Sequence, residues 1–123
     1  MAFAPITSLP IVLVVEDDDL VRESAIGMLE DAGFAVIDAE TADAAWILLE
    51  VDPTISALFT DIEMPGSMNG LELARRVAER WPHVRLVLTS GRAGLHSRDM
   101  PPDGRFVAKP YGLDQVLRAL AQA

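Results

Sequence analysis

No cysteine occurs in the 123 residues, which excludes a disulfide framework and a thiolate zinc site alike. A reducing compartment fits that absence, and a cytoplasmic setting is expected. Basic residues are scarce: ten Lys and Arg against nineteen Asp and Glu leave a formal net charge of −9. Such a chain does not bind nucleic acid or an anionic membrane unaided, because both reward basic patches. A cation or a basic protein surface remains admissible. Long apolar runs are also missing, and none approaches the ~20 residues of a membrane span. The opening MAFAPITSLP lacks the basic n-region and apolar core of a signal peptide. No Gly-rich loop follows the first apolar run, which removes a nucleotide-binding reading. The two histidines, His83 and His96, lack ligand-like spacing.

What the chain does have is a short apolar run closed by acids. Ile11-Val12-Leu13-Val14-Val15 is followed by Glu16, Asp17, Asp18 and Asp19. Half of all residues are apolar, enough to fill the core of one compact domain. Residues 11–15 read as a strand buried on both faces. Val21, Ala25, Met28 and Ala32 then share a helix face, and Gly33 is a stop signal. Further strands are expected at 34–39, 55–60, 84–90 and 105–109. Thr41 and Asn69 are placed to cap helices before Pro53 and Pro82, and 113–122 reads as a closing helix. The alternation implies a parallel sheet covered on both sides. The exception is 91–104, "GRAGLHSRDMPPDG", where Gly and Pro leave room for a short fourth helix at most. Residues 1–10 are expected to be an N-terminal extension and 11–123 a single domain.

In an open parallel sheet, ligands bind beyond the carboxyl ends of the strands. At those ends stand Glu16 and Asp17, Asp38 and Glu40, Asp61, Thr89 with Ser90, and Lys109. Such a set suits a small hard cation and a phosphoryl group. Magnesium takes oxygen ligands and would offset the repulsion among Glu16, Asp17 and Asp61. Asp61 can then act as a nucleophile on phosphorus, with Lys109 and Thr89 stabilising the transferring group. Asp18 and Asp19 suit the start of a helix instead. Asp38 and Glu40 read as solvated acids, and Trp46 and Trp81 as packing residues.

Four segments, "VLVVEDD", "TDIEMPG…NG", "LTSG" and "FVAKPY", together resemble the receiver domain of two-component response regulators, from Ile11 onward. The resemblance implies an α/β, flavodoxin-like three-layer sandwich with a five-stranded parallel sheet of order 2-1-3-4-5. It implies Asp61 as phosphoacceptor, Glu16 and Asp17 as the acidic pair, and the Glu63 backbone carbonyl as a further Mg2+ ligand. Thr89 would be the switch hydroxyl, Phe106 the switch aromatic and Lys109 the phosphate partner, with a cis bond before Pro110. A histidine kinase or histidine phosphotransfer protein would be the donor, and a downstream protein the target. A monomer or weak homodimer is expected, with no direct contact to nucleic acid or membrane. The chain would catalyse its own phosphotransfer and turn over no external metabolite. A Mg2+-dependent aspartyl-phosphate phosphohydrolase and a phosphorylation-independent binding module are the alternatives. Relatives commonly read Met-Pro-x-Met-Asp-Gly after the phosphoacceptor. This chain reads Met64-Pro65-Gly66-Ser67-Met68-Asn69-Gly70, one residue longer, so a reshaped loop is expected.

Overall fold

The computed structural model describes residues 10–91 and 100–121. Five strands alternate with helices: β1 (Ile11–Val15), α1 (Asp19–Asp31), β2 (Ala35–Ala39), α2 (Ala42–Val51), β3 (Ile55–Asp61), α3 (Gly70–Arg80), β4 (Arg85–Ser90), β5 (Gly104–Ala108) and α4 (Leu113–Ala121). The strands form one sheet of order β2-β1-β3-β4-β5, every pairing parallel. The short helix expected in 91–104 would fall on 92–99, outside the described residues.

Alternate residues of β1 enter two separate cores. Leu13 and Val15 pack with Ala45 and Leu49 of α2 and Leu73 and Val77 of α3. Val12 and Val14 pack with Ala25 and Leu29 of α1 and Val116 and Leu120 of α4. A strand covered on both faces must be apolar throughout, which is why β1 shows a continuous run rather than alternation. Each fully buried Val or Leu contributes about 1.5–3 kcal/mol by leaving water. The two tryptophans serve packing: their ring centroids are 4.7 Å apart, and the Arg80 guanidinium stands 4.9 Å from the Trp81 ring centre.

The helix starts follow the capping chemistry of the sequence. Asp18 accepts hydrogen bonds from the Leu20 and Val21 amides, Thr41 from Ala44, and Asn69 from Glu72. Past the end of α1, Gly33 takes φ +99°, a left-handed conformation that glycine adopts without steric cost. One stripe differs from expectation. The buried residues of α1 are Arg22, Ala25 and Leu29, while Ala32 is the exposed cap.

Strand register brings the functional ends level. Val15 pairs with Ala39 and with Thr60, Asp61 with Thr89, and Ser90 with Ala108. Glu16, Asp61, Thr89 and Lys109 therefore meet at one rim, contributed by four strands.

Candidate functional site

Three acids gather at that rim. Carboxylate oxygens of Glu16, Asp17 and Asp61 all lie within 4.8 Å of one another. Glu16 and Asp61 are buried, whereas Asp17 is exposed and opens the group to solvent. The Lys109 ammonium reaches in from the end of β5, 3.0 Å from Glu16 Oε1 and 3.4 Å from Asp61 Oδ1. The second contact is an ion pair without hydrogen-bond geometry. Asp61 Oδ1 and Thr89 Oγ1 are accordingly the buried side-chain polar atoms left without a hydrogen-bond partner among the described residues. Leaving a buried acceptor unpaired costs about 1–3 kcal/mol, so the pair marks a place built for something else.

The electrostatics agree. Burial, and then the neighbouring Glu16 charge, push the Asp61 carboxyl up to about 6, although Lys109 pulls the other way. Burial works against the Lys109 charge, but the hydrogen bond to Glu16 and the fields of Asp61 and Glu16 outweigh it. Its pKa stands above the ordinary lysine value of 10.5. Among the described residues one cation, Lys109, thus faces three acids, and the oxygen-only donor set fits a hard divalent cation. Asp61 Oδ1, buried without a hydrogen-bond partner, supports that fit.

Backbone anchors hold the site. The Glu16 amide donates to the Ala39 carbonyl, the Ile62 amide to the Thr89 carbonyl, and the Lys109 amide to the Ser90 carbonyl. Gly70 brings the start of α3 against Asp61: a Cβ there would stand 1.7 Å from the Asp61 carbonyl oxygen. The longer loop bulges outward at exposed Pro65-Gly66-Ser67, between buried Met64 and Met68. Gly66 takes φ +115°, and Ser67 Oγ donates to Asp43 Oδ2 at 2.8 Å.

Of the residues singled out by sequence, Glu16, Asp17, Asp61, Thr89 and Lys109 come together. The Lys109-Pro110 bond is cis. The Glu63 carboxylate stands apart, accepting from Ser90 Oγ with both oxygens at 2.7 Å. Phe106 is 41% exposed on edge strand β5, paired in register with Leu88. Three features escaped the sequence reading: Arg22 as a buried hub, the Ser90–Glu63 bond, and the close approach at Gly70. For Arg22 the available signal was Asp19 three residues earlier, an ion-pair spacing on a helix. Asp38 and Glu40, read as solvated, both face that guanidinium.

Comparison with known proteins gives one answer. A profile of the response regulator receiver domain matches residues 12–121. The chain is 33% identical over 112 residues to the response regulator receiver protein CpdR of Brucella abortus, covering 89% of this chain and 92% of that one. It is 31% identical over 109 residues to the sensor kinase CckA of the same species, covering 85% of this chain but 11% of the kinase. A response regulator receiver protein from Sinorhizobium medicae superposes with a TM-score of 0.85 at 27% identity, over 93% of both chains.

Proposed function

The chain belongs to the response regulator receiver family, and from that premise we propose that Asp61 accepts a phosphoryl group in a phosphorelay and so switches a protein-contact surface. The carrying observation is the pair of partnerless buried atoms, Asp61 Oδ1 and Thr89 Oγ1, beside the Lys109 ammonium. A phosphoryl group on Asp61 would occupy the first, give the Thr89 hydroxyl an acceptor and offer Lys109 a further anionic partner.

The donor is a phosphohistidine of a histidine kinase or phosphotransfer protein; the match to part of a sensor kinase supports that choice. A carboxylate oxygen of Asp61 attacks phosphorus, an O–P bond forms, and the N–P bond to the imidazole breaks. The leaving imidazole takes up a proton. Asp61 must be ionised to attack, which its value of about 6 permits at neutral pH, and a more basic carboxylate is the better nucleophile. Mg2+, held by Glu16, Asp17, Asp61 and the Glu63 backbone carbonyl, would offset the repulsion of the acids and the charge on the transferring oxygens. Lys109 pairs with the phosphoryl oxygens, and the Thr89 hydroxyl donates to one of them. Those two contacts favour one arrangement of β4 and β5, with Phe106 moving as the space behind Thr89 changes. External metabolites play no part, so phosphate release stays tied to the chain's own phosphorylation.

Incubation with a small phosphodonor and Mg2+ should give one acid-stable, base-labile phosphate per chain, and Asp61→Asn should abolish it. Steady release of phosphate far beyond the amount of protein, without a donor-limited burst, would favour a phosphohydrolase instead.

A further inference from the structure

The buried charged side chains of the described residues are Glu16, Arg22 and Asp61, and Arg22 is the one the proposed chemistry leaves unused. All three of its guanidinium nitrogens donate hydrogen bonds. Nη1 donates to the Glu16 carbonyl at 2.9 Å, a contact buried from solvent. Nε donates to Asp38 Oδ2 at 3.1 Å, and Nη2 to Asp19 Oδ1 at 2.7 Å and Glu40 Oε1 at 3.4 Å. The fork thus ties the turn after β1 to the turn after β2.

The Glu16 carbonyl belongs to the peptide plane that joins Glu16 to Asp17. Fixing that plane fixes the direction in which Asp17 leaves the strand. The same turn is held from the other side, where the Asp18 amide donates to Glu16 Oε2 at 3.1 Å. We infer that Arg22 is a positioning residue for the acid cup: by holding the Glu16 carbonyl it presents Glu16 and Asp17 together to a divalent cation. The inference rests on the proposed Mg2+ site.

Charge and geometry make opposite predictions here. Arg22 is a cation close to a cation site, so its field alone weakens Mg2+ binding, and neutralising it would tighten binding. Loss of positioning would loosen binding. Lysine keeps the charge, but its three donors share one nitrogen and cannot reproduce the planar fork whose separate nitrogens reach the Glu16 carbonyl and the outer acids together. Outer partners of metal ligands typically contribute 10–100-fold to affinity.

The test is calorimetric titration of Mg2+ into the full chain, its Arg22→Lys variant and its Arg22→Met variant. Both variants should bind Mg2+ about 10–100-fold more weakly than the parent. With a small phosphodonor, half-saturation by Mg2+ should rise, while the phosphorylation rate at saturating Mg2+ stays within about twofold of the parent; that split separates positioning from general damage. Arg22→Lys retains charge and most of the stem, so it carries the test should Arg22→Met fold poorly. Parental affinity in Arg22→Lys, or tighter binding in Arg22→Met, overturns the inference. A parent that binds no Mg2+ overturns the cation site itself, and the role of Arg22 with it.

Discussion

Two groups of acids share one rim and are treated in opposite ways. The outer group, Asp19, Asp38 and Glu40, surrounds Arg22, and each carboxylate has the guanidinium within 3.4 Å. All three remain largely exposed, at 75%, 45% and 69% of their side-chain surface, so water relieves what charge is left over. The inner group, Glu16, Asp17 and Asp61, has Lys109 as its one cationic partner among the described residues, and two of its three members are buried. There the repulsion is kept. Burial raises the Asp61 pKa and the Glu16 charge adds to it, and Asp61 Oδ1 is left without a hydrogen-bond partner among the described residues. The lesson is that the same residue type, at one rim, is neutralised where an arginine is set among three exposed acids and left under mutual repulsion where a single described lysine faces a largely buried group.

The largest effect is expected where the inner group is disturbed from its backbone side. Gly70→Ala sets a methyl group against the Asp61 carbonyl, and Thr60 Oγ1, 2.9 Å away from the same Cβ, blocks a sideways escape. Overpacking of this kind typically costs about 1–3 kcal/mol, and contact with rigid backbone places it at the upper end. Urea unfolding of Gly70→Ala should show the loss, and an unchanged midpoint would mean that α3 can shift at no cost. The outer group should not notice.

Second comes the pH dependence of the metal-free chain. An acid whose folded pKa is raised binds its proton more tightly when folded, so its penalty is absent below the unfolded value of 3.8. The penalty grows as pH rises and is complete above about 6. With chelator present, stability should therefore fall across that window by on the order of 2–3 kcal/mol. Asp61→Asn should flatten the fall and make the metal-free chain the more stable one at pH 7.5. A parent and variant with parallel profiles would show that the inner repulsion is already relieved.

Third is the lifetime of the phosphorylated form. Hydrolysis needs a water in line behind phosphorus, and Gly91, two residues after Thr89, offers no shield. Among the described residues a Cβ there meets Lys109 Cδ at 4.0 Å and nothing closer, so a β-carbon is accommodated. Gly91→Leu should lengthen the phosphate lifetime several-fold by excluding that water. An unchanged decay rate would discard the shielding. The smallest effect is expected in the outer group: Asp38→Asn removes one half-exposed partner of three and should cost at most about 1 kcal/mol. A larger loss in thermal unfolding would mean that the outer acids work as one network.

Much of this contrast was legible in the sequence, for identifiable reasons. The unbroken apolar run of β1 announced burial on both faces, and Thr41, Asn69 and Gly33 marked helix ends by their own chemistry. Strand-end acids from separate segments announced the inner group. What stayed hidden was tertiary. On α1 the expected stripe and the observed one share Ala25, and a 3.6-residue period cannot decide between them when the inward residue is an arginine. Arg22 drew no reading from the sequence, because its partners Asp38 and Glu40 lie in β2 and just past it, 16 and 18 residues away. Gly70 carried no sign of its contact, since the Asp61 carbonyl arrives from a different element.

The most direct measurement of the central claim locates the phosphate. The chain is phosphorylated by a small donor with Mg2+, reduced with borohydride to convert an acyl phosphate to homoserine, and mapped by mass spectrometry. Conversion is expected at Asp61 alone, dependent on Mg2+ and absent in Asp61→Asn. Conversion at any other acid of the rim, or a stable phosphate on Ser90 that survives Asp61→Asn, would contradict it.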